Sequence, residues 1–145
     1  MHKKGRKNTM IGLVIITHGK LAEEFLRVAE QISGAQEAVE TVCIAVDDNI
    51  EEKRQELLKK VKKADRGKGV IVLTDLFGGT PSNIAISVAQ NENVEALTGI
   101  NLPLLIELLT VREQSGHSLK DIARKAQDAG RKYIHAASAL LDEAG

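Results

Sequence analysis

The sequence predicts a single α/β domain, a mainly parallel sheet of about four strands with helices on both faces. Three observations carry this. Short apolar runs rich in branched residues recur at 10–16, 39–46, 70–73 and 94–98. A segment of helical periodicity follows each of them. The 145 residues suffice for one core, and a chain that is 43% hydrophobic is built to fold rather than to stay disordered.

The first run, MIGLVII, is apolar almost throughout, as suits a strand buried on both faces. Thr17, His18 and Gly19 end it. Residues 21–32 then place Leu21, Phe25, Val28, Ala29 and Ile32 on one helical face, with Gly34 as a stop. Val39–Val46 is the second strand. A charged helix over 50–64 carries Ile50, Leu57, Leu58, Val61 and Ala64 as its apolar stripe. The third strand, Val70–Leu73, runs into TDLFGGTP, where Pro81 marks the first turn of a helix over 82–90 and Thr80 is the expected N-cap. Ile84, Ala85 and Val88 face inward. Val94–Thr98 is a weaker fourth strand. After the turn at Gly99–Pro103, a helix reaches Arg112 with Leu104, Leu105, Leu108 and Val111 inward. Residues 119–129 read as helix and Gly130 as an interruption. Residues 131–139 fit a helix or a last strand, and their alanine content favours helix.

Composition excludes several classes. Lys+Arg and Asp+Glu are both 20, and aromatics are only Phe25, Phe77 and Tyr133, so neither a basic surface nor a stacking platform for nucleic acid is expected. The single Cys43 allows no internal disulfide, and no metal or cofactor site is expected. The zero net charge hides an asymmetry. Residues 1–9 hold Lys3, Lys4, Arg6 and Lys7 with no acid and read as a flexible basic extension. The domain proper, 10–145, carries 16 bases against 20 acids. The extension lacks the apolar core, roughly 7–15 residues, of a signal peptide. No run is long enough to span a membrane.

In parallel sheets, ligands bind beyond the carboxyl ends of the strands. Two loops there hold chemistry: Thr17-His18-Gly19 and Asp75–Pro81. A histidine alone is often structural, and an aspartate alone is often a turn residue. Placed after neighbouring strands, Asp75 would accept a proton from one ring nitrogen of His18 and leave the other as a nucleophile. No serine or cysteine nucleophile is evident, and a phosphoryl group is the fitting electrophile. Gly78 and Gly79 let backbone N–H groups approach a small anion. The helix start adds partial positive charge, and Thr80 adds a hydroxyl. Thr17, Gly78, Gly79 and Thr80 form the expected phosphoryl-binding set. The loop lacks the lysine of a nucleotide-binding P-loop. Phe77, one of three aromatics, reads equally as a core side chain or as an exposed docking contact for a protein partner. Phosphatase or mutase chemistry would require a further base or clamp, for which Lys20 and Arg112 are the available residues.

The strand and histidine IGLVIITHG (11–19), the loop VLTDLFGGTPSN (72–83) and the turn TGINLPLLIELL (98–109) occur in an order and spacing that resembles the mannose-family IIA domain of the bacterial phosphoenolpyruvate-dependent sugar phosphotransferase system. The resemblance implies that His18 takes a phosphoryl group on Nε2 from the phosphocarrier protein HPr and passes it to a IIB component, upstream of membrane IIC and IID proteins. It implies that Asp75 holds the other ring nitrogen, and that the loop around Gly79 and Thr80 binds the phosphoryl group. It further implies a cytoplasmic homodimer whose last strand, about 131–138, is antiparallel and crosses to the partner subunit. The alternatives are a regulator read by the phosphorylation state of His18, and the phosphotransferase subunit of a dihydroxyacetone kinase.

Overall fold

A computed structural model describes residues 9–91 and 93–144. The basic extension expected at 1–9 lies outside the described residues apart from Thr9. Strands β1 (Gly12–His18), β2 (Val39–Ile44), β3 (Val70–Thr74) and β4 (Val94–Thr98) form one parallel sheet in the order β2-β1-β3-β4. The helices are α1 (Leu21–Ser33), α2 (Ile50–Ala64), α3 (Thr80–Val88), α4 (Leu102–Val111), α5 (Leu119–Lys132) and α6 (Ala137–Ala144).

The sheet is covered on both faces, which is why its central strands carry no polar alternation. Leu13, Ile15, Ile71 and Leu73 pack toward α1, α4 and α5. Val14, Ile16, Val70 and Val72 pack toward α2 and α3. Each such side chain contributes roughly 1.5–3 kcal/mol on burial, before the entropy cost of ordering it. The helix faces differ in part from those the periodicity predicts. Leu21, Ile32 and Ile50 stay exposed, while Ala22 and Ala29 are buried and Phe25 and Leu26 pack against the core. The contact stripes of these helices are narrower than their apolar content.

Gly130 does not interrupt α5. It is buried against Leu104, and its carbonyl accepts a hydrogen bond from Asn101 Nδ2 at 2.9 Å. Asn101 also caps α4 by accepting from the Leu104 amide at 2.9 Å. One side chain therefore satisfies a helix start and ties α4 to α5. Asn101→Ala is expected to cost about 1–2 kcal/mol, measurable by urea unfolding.

The strand implied by resemblance at 131–138 is not present. Residues 131–132 end α5, 133–136 are irregular, and α6 begins at Ala137. The residues from 131 to 138 are exposed. A strand exchanged between subunits has no ladder partner within one chain, whereas an alanine-rich helix satisfies its own backbone. Among the described residues, no helix is long and apolar enough to cross a membrane.

Candidate functional site

β1 and β3 are neighbours in register, with Ile16 beside Thr74. His18 ends β1, and Asp75 directly follows β3. Asp75 Oδ2 accepts from the His18 backbone N–H at 3.0 Å and lies 2.9 Å from His18 Nδ1. The Leu76 amide donates to the other oxygen, Oδ1, at 3.0 Å. The carboxylate is thus anchored by two backbone donors, one from each loop, and the imidazole is held by an anchored group.

Burial of Asp75 alone would raise its pKa. The hydrogen bonds from the His18 ring and amide, its electrostatic attraction and the Leu76 amide together outweigh burial, and the carboxyl titrates below its usual range. An ionised Asp75 can only accept, so the neutral imidazole that fits it carries its proton on Nδ1 and its lone pair on Nε2. The side chain of Asp75 is only 9% exposed while that of His18 is 51% exposed, so the carboxylate is sheltered and the ring is open to solvent.

A depressed folded-state pKa gives stability that is present above the unfolded carboxylate value, about 3.9, and is lost as pH falls through the lower folded value. The stability gap between the wild type and Asp75→Asn is expected to be widest and flat above about pH 5 and to close as pH falls below about 4. Urea unfolding across that range measures it. A gap independent of pH would mean that the ionised carboxylate is not what binds His18.

The other face of the ring meets the glycine turn. An ideal Cβ built on Gly79 would lie 2.8 Å from His18 Cε1 and 3.0 Å from Nε2, so the backbone there runs against the nitrogen that faces away from Asp75. Gly79, not Thr80, is the N-cap of α3, with extended backbone and no side-chain cap. Thr80 is the first helical residue and lines, with His18, Gly19, Ile44, Val46 and Ile50, a groove of about 520 Å³. Val46 and Ile50 are exposed there, and Leu76 and Phe77 are exposed on the other loop.

Not all the residues expected from sequence gather at His18. Thr17 is wholly buried, and its Oγ1 accepts from the Ala22 amide at 2.7 Å, so it ties β1 to α1 instead of facing the groove. Alternation along β1 explains this, since adjacent residues point to opposite faces. Phe77 lines a separate groove with Ile86, Leu97, Asn101 and Ile134. Arg112 is spent at the opposite end of the sheet: it is 2% exposed and donates to the Ile11, Ala38 and Glu37 carbonyls and to Gln36 Oε1. The clamp that phosphatase or mutase chemistry would require is not supplied by it. Ser82, which nothing in the residue pattern singles out, is fully buried and bonded to both glycines of the turn.

An exposed histidine ring is thus held by an anchored carboxylate at the carboxyl ends of a parallel sheet and against a glycine turn, an arrangement that can present one ring nitrogen to solvent or to another molecule. Residues 12–127 match the family model described as the fructose IIA component of the PTS system, EIIA-man. The chain belongs to this IIA family of the sugar phosphotransferase system. It is 35% identical over 130 residues to the PTS system mannose-specific EIIAB component of Escherichia coli K12, covering 89% of this chain and 40% of that protein. It is 27% identical over 135 residues to the PTS system fructose-specific EIIA component of Bacillus subtilis 168, covering 92% and 91%. The crystal structure of the phosphotransferase system component EIIA from Streptococcus agalactiae superposes with a TM-score of 0.81 at 28% identity, covering 90% of this chain and 99% of the other.

Proposed function

We propose that this protein is a cytoplasmic phosphoryl carrier that takes a phosphoryl group from the phosphohistidine of HPr onto His18 Nε2 and gives it to a IIB component of a sugar transporter. The observation that supports this most is the His18–Asp75 pair, with Nδ1 held at 2.9 Å and Nε2 beside Gly79. As the lone pair of Nε2 bonds to phosphorus, the N–P bond of the donor breaks, and the donor imidazole leaves with that electron pair. The Nδ1 proton stays between His18 and Asp75, whose charge balances the ring as it becomes cationic. Transfer to IIB is the same exchange in reverse. Little bonding is asked of the protein beyond placing and stabilising a nearly free phosphoryl group.

The open setting of the site fits exchange between proteins. Val46 and Ile50 line its groove as exposed apolar contacts, and Phe77, exposed on the loop that follows Asp75, serves as a docking residue. Gly79 and Thr80 hold the phosphoryl oxygens. The partners are HPr and a IIB protein, with IIC and IID proteins at the membrane. Residues 10–145 act as one carrier domain. The protein works as a homodimer: at one edge of the sheet, Lys60 Nζ donates to the Thr41 carbonyl of β2, while the β4 edge lies beside a groove lined by Leu97 and exposed Ile134.

The test is incubation with phosphoenolpyruvate, enzyme I and HPr, followed by addition of a mannose-family IIB protein. The expected result is labelling that depends on HPr and discharges onto IIB. An unlabelled wild type would end the carrier reading. Labelling that IIB cannot discharge would replace transport with regulation.

A further inference from the structure

We infer that Ser82 is a positioning residue that shapes the glycine turn so that the Gly79 and Thr80 amides, and not that of Gly78, meet the phosphoryl group on His18. This rests on the carrier reading above. A Gly-Gly turn is loose by itself, and Gly78 sits at φ +101°, where side chains are rarely tolerated. Something must hold it if it is to present donors in fixed directions.

Ser82, fully buried as the third residue of α3, supplies the hold. Its Oγ accepts from the Gly78 N–H at 2.8 Å and donates to the Gly79 carbonyl at 3.2 Å. The Asn83 amide donates to the same carbonyl at 3.0 Å. The Gly78 N–H is therefore already engaged, which removes Gly78 from the donor set expected from sequence. The Gly79 carbonyl is turned into the helix. In a planar trans peptide the following N–H points the opposite way, so the Thr80 N–H is directed outward from the helix start. Thr80 lines the same groove as His18. Among the described residues, no hydrogen bond engages the Gly79 or Thr80 amide. These two donors face the anion with the partial positive charge of α3 behind them.

Ser82→Ala removes the hold at small cost to folding, because Gly78 is exposed and water can replace the lost acceptor. In the full chain, kcat for phosphoryl acceptance from HPr is expected to fall about tenfold, with KM unchanged and the thermal midpoint within a few degrees. A wild-type kcat, or an effect confined to KM, would overturn the inference. A second measurement needs no variant. On phosphorylation of the wild type, ¹⁵N–¹H spectra should move the Gly79 and Thr80 amides strongly downfield and Gly78 much less. Equal movement of Gly78 would overturn it. A wild type that takes no label from HPr would instead defeat the carrier reading itself.

Discussion

His18→Ala will abolish phosphoryl acceptance from HPr and leave the fold nearly as stable as the wild type. The ring is half exposed at the end of β1 and contributes no packing to the two core clusters. In the proposed function its removal takes away the nucleophile, and among the described residues no neighbouring group substitutes. His117 lies on an exposed turn and His135 in the exposed segment before α6. Asp75 is not stranded by the change, because the residue 18 amide and the Leu76 amide still donate to its two oxygens. The variant should therefore show no label by mass spectrometry and an unfolding midpoint close to the wild type. Residual labelling at the wild-type level would place the acceptor elsewhere.

Gly79→Ala will slow transfer about 100-fold without unfolding the protein. The backbone at Gly79, φ −95° and ψ 178°, is open to any residue, so alanine introduces no conformational strain. Its methyl would nevertheless arrive 2.8 Å from His18 Cε1 and 3.0 Å from Nε2, in the space through which phosphorus must approach. Either the loop moves off, carrying its amide donors with it, or the ring rotates and loses Asp75. Each displaces a reacting group by a substantial fraction of an ångström, which is the scale at which transfer rates fall steeply. Quench-flow measurement of phosphoryl acceptance checks this, with circular dichroism to confirm the fold. Near wild-type kcat would mean that the turn does not confine the reactive nitrogen.

Much of this architecture was legible because strands buried on both faces declare themselves as unbroken apolar runs. The pairing of His18 with Asp75 followed from the same reasoning, since it needs only that the first and third strands be neighbours. Three features of the site were not legible. Thr17 was grouped with the site, although strand alternation turns it to the opposite face from His18. Thr80 was assigned the cap that Gly79 holds, a one-residue distinction that side-chain preference alone does not make. Ser82 was missed because a serine after Gly-Gly-Thr-Pro reads as an ordinary helix residue until its hydroxyl is seen between the two glycines. The tail separates two kinds of inference. Alanine content at 136–139 favoured helix, and α6 is helix, whereas the implied strand depends on a partner subunit for its hydrogen bonds.

The question of which ring nitrogen carries phosphorus bears on the whole site at once. The phosphorylated protein, labelled with ¹⁵N-histidine, distinguishes the two nitrogens by their coupling to ³¹P. Phosphorus on Nε2 of His18 is the expected result, with the Nδ1 proton retained toward Asp75. Phosphorus on Nδ1, or on a different histidine, would contradict the arrangement of nucleophile, holder and glycine turn described above.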